Sequence, residues 1–282
     1  MIRWWVGLWD RREAADSLAM VRALVPWLFT LAPPTADTAS VAFWGAVVAS
    51  AGLAAGIATR LSAVVLVLLL AQLALILPAA DRGIDMLIRN TLLVLACSGA
   101  GRAWSVDARL RTGRWAGDRR PIPSWPRYLL VVQLVLLYGT AGMQKVASSW
   151  LPPDWSALWI ALHDPHFGRF DADWTWSPGM YQASRLATAV TWVWEWAAPL
   201  VLVAFWARDT EGRPGRRRAA LRRGHILALY AALGVVFHLG THLLLRLGIF
   251  PFAVLSLYPA LVHPDAWAGL VTGIRHLRGG PP

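Results

Sequence analysis

From Leu61 to Leu77 every position except Ser62 and Gln72 is apolar. A helix on the surface of a water-soluble protein would show a polar position every three or four residues, and none recurs here. Similar stretches are predicted at about Ser17–Ala32, Val41–Ile57, Leu61–Pro78, Ile84–Gly99, Tyr128–Val146, Ala187–Ala207, His225–Leu245 and Gly248–Val262. Each approaches the ~20 apolar residues that carry a helix across a bilayer, and the shorter ones would tilt or span in part. Turn formers separate them: Pro33-Pro34, Asp81-Arg82-Gly83, Pro121 to Pro126, Pro152-Pro153, Gly212 to Gly215 and His263-Pro264. The pattern predicts an all-α integral membrane protein, a single bundle of about eight transmembrane helices spanning residues 17–264. An interfacial segment, residues 1–16, precedes it, and a short basic tail, 265–282, follows.

Composition agrees with the pattern. Of 282 residues 57% are hydrophobic and 15% charged, with 18 tryptophans and a mean hydropathy of +0.47. Soluble domains carry about a quarter charged residues, and Trp gathers at membrane–water interfaces. Trp4, Trp5 and Trp9 suit a segment lying on the bilayer, and Met1–Asp16 holds no continuous apolar core of a cleavable signal peptide. The net charge of +11 raises nucleic acid as a partner. The arginines sit in short loops between apolar runs, as topology requires, so the lipid bilayer is the expected partner and nucleic acid is not. Arginines crowd the N-terminus, Arg102–Arg127, Arg208–Arg223 and the tail, while the opposite loops carry Arg82, Arg169 and Arg246. The positive-inside rule then makes both termini cytoplasmic in a multi-pass protein of the inner (plasma) membrane, with the loop Ser148–Met180 outside. The basic run Arg213–Arg223 is a topology anchor with a possible affinity for anionic lipid. Cys97 is the single cysteine, which rules out an intrachain disulfide and a Cys-based metal cluster.

Among 27 basic residues one, Lys145, is lysine and the rest are arginine. Arginine keeps its proton, whereas a desolvated lysine amine can be pushed towards neutrality. Lys145 closes the fifth apolar stretch and is the foremost candidate for a base, with snorkelling to the interface as the plainer role. Ionisable groups at membrane depth are costly and mark sites worth attention. Glu195, between Trp194 and Trp196, must find a partner or a proton: an interhelical ion pair or a proton relay. Asp85 and Arg89 share a helix face and can neutralise each other. His238 and His242 also share a face, the geometry of a two-ligand metal site. No Glu follows His238 and no third ligand is evident, so packing or hydrogen bonding is expected and no metal is assigned. A neutral imidazole at the depth of Lys145 would make a base–acid pair with it. In the outer loop, Trp155 and Trp159 suggest a short helix on the leaflet, and His163-Asp164-Pro165-His166 reads as solvated loop.

Three stretches in order carry a resemblance: Ala103-Trp-Ser-Val-Asp107; Tyr138-Gly-Thr-Ala-Gly-Met-Gln-Lys145 with Trp150; and Phe237-His238 followed by Gly248-Ile-Phe-Pro-Phe252. Together they resemble vitamin K-dependent γ-glutamyl carboxylases, and more broadly the horizontally transferred transmembrane (HTTM) domain that those enzymes share with bacterial proteins. The resemblance implies a helical membrane bundle in which Lys145 stands where the carboxylases place the base that deprotonates vitamin K hydroquinone. His238 matches a histidine ahead of the Gly-x-Phe stretch. Tyr138, Gln144, Trp150, Glu195 and His242 are further candidates to line such a site. The match departs at Gln144, where the carboxylases have a second lysine, and at Arg102, where they have a histidine. Three functions stand open: an enzyme, carboxylase-like, using Lys145 on a quinol-type cofactor; a maturation factor for an exported peptide toxin, as in the sporulation-delaying-protein system; or a non-enzymatic bundle that binds lipid or a partner. Ser105 and Asp107 also read as a helix start, with Ser105 as N-cap.

Overall fold

The computed structural model describes residues 12–24, 37–78, 81–118, 120–171, 177–209, 215–223 and 225–267. The expectations for Trp4–Trp9, for Pro33-Pro34 and for the tail past Trp267 fall outside these residues. Helices dominate the described residues: α1 Asp16–Leu24, α2 Asp37–Ala55, α3 Thr59–Ile76, α4 Gly83–Cys97, α5 Val106–Thr112 and α6 Trp125–Gln144, then α7 Ala157–His163, α8 Pro178–Trp196, α9 Ala198–Asp209, α10 Arg216–Arg223, α11 Ile226–Leu244 and α12 Phe250–Leu255. A two-stranded antiparallel ladder joins Arg12–Glu13 (β1) to Ile122–Pro123 (β2). Each of the eight predicted apolar stretches carries helix. By length and composition, three of the described stretches are fit to cross a membrane: α3, α6, and the Arg216–Leu244 stretch that holds α11. A fourth is added if the pair α8–α9, bent by 49°, counts as one span. Ala39–Ala55 and Phe250–Leu261 are apolar but shorter. The 15 residues of α4 rise only about 22 Å at ~1.5 Å per residue, against a hydrocarbon core of ~30 Å.

Side-chain placement on α3 inverts that of a soluble helix. Thr59, Ala63 and Leu66 are buried, while Leu61, Leu68 and Leu75 are 64%, 64% and 76% exposed. Apart from Leu66 the residues that face protein are small, and large apolar side chains face outward, as lipid contact favours.

The chain divides into two compact units, Met1–Val131 with Ser256–Pro282, and Val132–Leu255. In the first, α2 packs along α3 and α3 along α4, and α1 packs against the turn Tyr258–Leu261. The last carbonyls of a helix lack partners within it, and at α2 a fully buried Arg22 supplies them. Its Nη1 donates to Leu53 O and Ala54 O at 3.0 Å each, and its Nη2 to Trp104 O at 2.6 Å. Gly56, at φ +70°, lets the chain turn there; a Cβ would overlap both Ser105 Cβ and Arg22 Nη1. Ser105 caps α5, accepting from Ala108 N–H at 2.9 Å, as its place in the sequence predicts. Asp107, in the first turn, also caps α3 from a distance in sequence: Ala58 N–H, Thr59 N–H and Thr59 Oγ1 each donate to it at 2.8 Å. Burial opposes its ionisation, but those hydrogen bonds, with Arg111 nearby, prevail and hold its pKa below the ordinary carboxylate value. Arg89 does not take Asp85 as its partner. It forms a two-pronged bridge to Asp81 at 2.7 and 2.9 Å, while Asp85 turns back to cap its own helix at Arg82 N–H. At the start of α6, Arg127 Nε and Nη2 donate to the two carboxylate oxygens of Glu13 at 2.6 and 2.5 Å.

Candidate functional site

The second unit holds Lys145, Glu195, Tyr138, His238, His242, Trp150 and Gln144. Three sequence features build the site. The first is Gly142: a Cβ there would sit 3.1 Å from Glu195 Cβ and 3.2 Å from Trp196 N. Glycine thus allows the backbones of α6 and α8 to approach closely, the usual device of membrane helix pairs. The second is Pro199. It has no N–H for the carbonyl of residue 195, and its ring crowds that carbonyl, so the helix breaks between α8 and α9 with Glu195 beside the bend. The third is the end of α6 at Gln144, which leaves Lys145 just past the last turn, where a positive charge suits the helix dipole.

Lys145 Nζ donates to Glu195 Oε1 and Oε2 at 2.7 and 2.5 Å and approaches Ala141 O at 3.5 Å. Glu195 is buried, its side chain 4% exposed, whereas that of Lys145 remains 19% exposed. The ammonium also lies 4.9 Å over the Trp150 ring, a cation–π contact. The interhelical ion pair expected as one fate of Glu195 is therefore present, and its partner is Lys145.

His238 has a different neighbour. The buried Tyr138 hydroxyl and His238 Nε2 are 2.6 Å apart, two turns before Lys145 on α6. Tyr138 packs on Trp194 at 4.5 Å between ring centres, and Trp194 stacks on Tyr230 at 5.0 Å. Phe237 and Phe250 flank the imidazole at 5.0 and 5.8 Å. The structure thus brings together Lys145 with Glu195 and Trp150, and Tyr138 with His238, and shows no direct contact between amine and imidazole. His242 packs its ring on Phe252 at 4.5 Å, so the two histidines face different company. Gln144 is exposed on the last turn of α6. Between α6 and α8, α7 supplies a short helix that holds Trp159 but starts after Trp155, with His163 Nδ1 2.7 Å from Trp159 O and His166 N–H donating to Asp164 Oδ1 at 2.7 Å.

Beside these pairs lies an apolar cavity of about 420 Å³. Trp150, Trp194, Phe237 and Leu233 form much of its wall, and Thr188, Thr191 and Thr241 contribute the polar atoms. Trp150 touches the lysine and Trp194 touches the tyrosine, so one ring of the wall belongs to each pair. Sequence reasoning did not foresee the cavity, nor Tyr230, nor Arg185. Arg185 Nε donates to Asp154 O at 2.8 Å and its Nη2 to Pro153 O, pinning the segment that follows α6 to α8. Thr188 adds to this by accepting from Leu158 N–H at 3.1 Å. A tryptophan-rich helix beside a glycine-rich one was the available signal for an aromatic cavity.

A model of the HTTM domain matches residues 19–205. No curated protein and no solved structure matches the chain. The matched range includes Tyr138, Lys145, Trp150 and Glu195, while His238 and His242 lie beyond it. Since the match covers well over half of the chain, this membrane protein belongs to the HTTM-domain family, and with that comes its similarity to the membrane domain of the γ-glutamyl carboxylases.

Proposed function

We propose that this HTTM-domain protein is a multi-pass protein of the plasma membrane, with up to eight helical segments and both termini cytoplasmic, that moves protons on a lipid-soluble quinol-type ligand. The observation that carries this reading is the position of Trp150. It covers the Lys145 ammonium on one side and lines the apolar cavity on the other. The cavity has the volume of a small-molecule site, and its flat aromatic walls with a few threonine hydroxyls fit an apolar ring with polar edges. A quinol held there would supply weakly acidic hydroxyls and a redox couple.

The residues of the chain supply the rest. All three Lys145 N–H groups point at acceptors, two on Glu195 and one on Ala141. For the amine to act as a base its proton must leave, and Glu195 stands ready to take it at hydrogen-bond distance. The pair then works as a relay: Glu195 receives the proton, and the freed amine is available to a hydroxyl of the ligand. Tyr138 and His238 form a second proton-exchanging pair, oriented by the Trp194–Tyr230 stack. Trp150 and Trp194 limit water at both pairs, which strengthens every charge interaction there.

The test uses the purified full chain. The expected result is co-extracted quinone, oxygen-dependent turnover of added quinol, and loss of the bound quinone in Trp194→Ala. Lys145→Arg keeps charge and bulk but removes the relay, so it should retain quinone while turnover falls at least about a hundredfold, the usual contribution of a positioned acid or base. Full cellular function in Lys145→Arg would refute the lysine's role, and absence of both quinone and turnover would leave the ion pair as a packing device.

A further inference from the structure

A second cavity, in the first unit, is of opposite character. It measures about 440 Å³ and is lined by Arg60, Arg102 and Arg111 together with Asp107, Ser98 and Gly101. The three arginines come from three places in the chain: the first turn of α3, the 3-10 turn Ala100–Arg102, and α5. All three are exposed, and among the described residues their guanidinium groups close no ion pair and donate no hydrogen bond. Like charges held in one concavity repel, and the only opposing charge at its wall is Asp107. That carboxylate accepts from Ala58 N–H and from both donors of Thr59 and feels the Arg111 charge without closing an ion pair with it, so one carboxylate stands against three guanidinium groups. Gly101 keeps the wall open and closely fitted, since a Cβ there would lie 2.5 Å from Thr59 Oγ1.

The geometry points to a binding site for a phosphate-bearing anion, in which Arg60, Arg102 and Arg111 converge on one phosphoryl group. Guanidinium groups pair with phosphate oxygens through parallel hydrogen bonds and lose less hydration than ammonium groups in doing so. The setting favours a phospholipid headgroup as the source. The cavity opens at the start of α3, the most apolar helix fit to cross a membrane. Leu61, itself part of the cavity wall, begins the outward apolar row that continues through Val64 and Leu68. A headgroup at the arginines would thus place its acyl chains along that row. Free phosphate shares the headgroup chemistry and not the apolar row. This inference does not depend on any quinol or on Lys145.

The experiment is native mass spectrometry of the purified full chain in detergent, titrated with phosphatidylglycerol or phosphatidylcholine, together with thermal unfolding in inorganic phosphate. Phosphatidylglycerol should be retained preferentially. Arg102→Gln and Arg111→Gln should each weaken retention about fivefold, from ~1 kcal/mol per basic residue near an anionic lipid. Arg216→Gln/Arg217→Gln, on the exposed basic helix α10, should change it little, and Arg111→Lys should keep part of it. These arginines hold no other residue in place, so the variants should fold. Stabilisation of the native chain, but not of Arg102→Gln, by phosphate alone would support the anion site with a free anion as its occupant. Equal retention of both lipids, or equal losses in the α10 variant, would overturn the site, because both reduce it to general surface charge.

Discussion

Arg127–Glu13 in the first unit and Lys145–Glu195 in the second are ion pairs of the same length, 2.5 Å at their shortest. Their settings differ. The guanidinium of Arg127 is fully buried, its fork matches both oxygens of Glu13, and it reaches toward Ala260 O as well. Glu13 belongs to the strand pair that ties residue 13 to residue 122. Every donor there serves to hold chain segments far apart in sequence. The lysine of the second pair is a point charge on a flexible stem, still partly exposed, lying over an aromatic ring that lines a cavity. Arginine cannot hand on its proton and lysine can. The difference teaches that burial of an ion pair says little about the role it plays. The donor's chemistry and what adjoins it decide.

Breaking the first pair should have the largest effect. Glu13→Gln leaves the Arg127 charge in a site without exposure, and removing one partner of such a pair costs about 3–5 kcal/mol. Thermal unfolding in detergent should show a correspondingly large drop in midpoint with no specific effect on quinone retention. An unchanged midpoint would remove the contrast between the two pairs. Glu195→Gln should cost less, about 1.5–3 kcal/mol for hydrogen bonds to a charged group, because Lys145 can turn towards solvent. Its effect on quinol turnover should exceed its effect on stability, and the reverse order would make the second pair structural too. Tyr138→Phe should come next, at about 1 kcal/mol for one hydrogen bond, with turnover reduced more than quinone retention.

Much of the helical layout was legible because lipid-facing helices leave long uninterrupted apolar runs. Lys145 stood out because it has no second lysine for company, and Glu195 because a carboxylate between tryptophans needs a partner. Their mutual pairing was not legible: it depends on Gly142 admitting the α8 backbone and on the bend before Pro199, both effects of three-dimensional approach. The expected pairing of Asp85 with Arg89 went astray for a related reason. Helical spacing puts the two on one face, but Asp85 lies in the first turn, where the unpaired backbone N–H groups compete for its carboxylate, and Asp81 is left for Arg89. The part of Asp107 that sequence showed was local, the first turn of α5. Its grip on Ala58 and Thr59 spans almost fifty positions and has no periodic signature.

Asp107 gives the smallest and most selective test, because it separates a charge that holds backbone from one that serves chemistry. Its pKa is below the ordinary value, so its ionised form contributes stability above the unfolded carboxylate's pKa of ~3.9, and this is lost as pH falls through the lower folded value. Asn at this position cannot accept from Thr59 with its amide nitrogen, so Asp107→Asn should be less stable than the native chain at neutral pH. Below about pH 4 the carboxylate of the unfolded chain takes up its proton before that of the folded chain does, and the gap in unfolding midpoint between the two proteins should narrow. A gap that stays constant from pH 7 to pH 3 would mean that the clamp works by shape and hydrogen bonding without its charge.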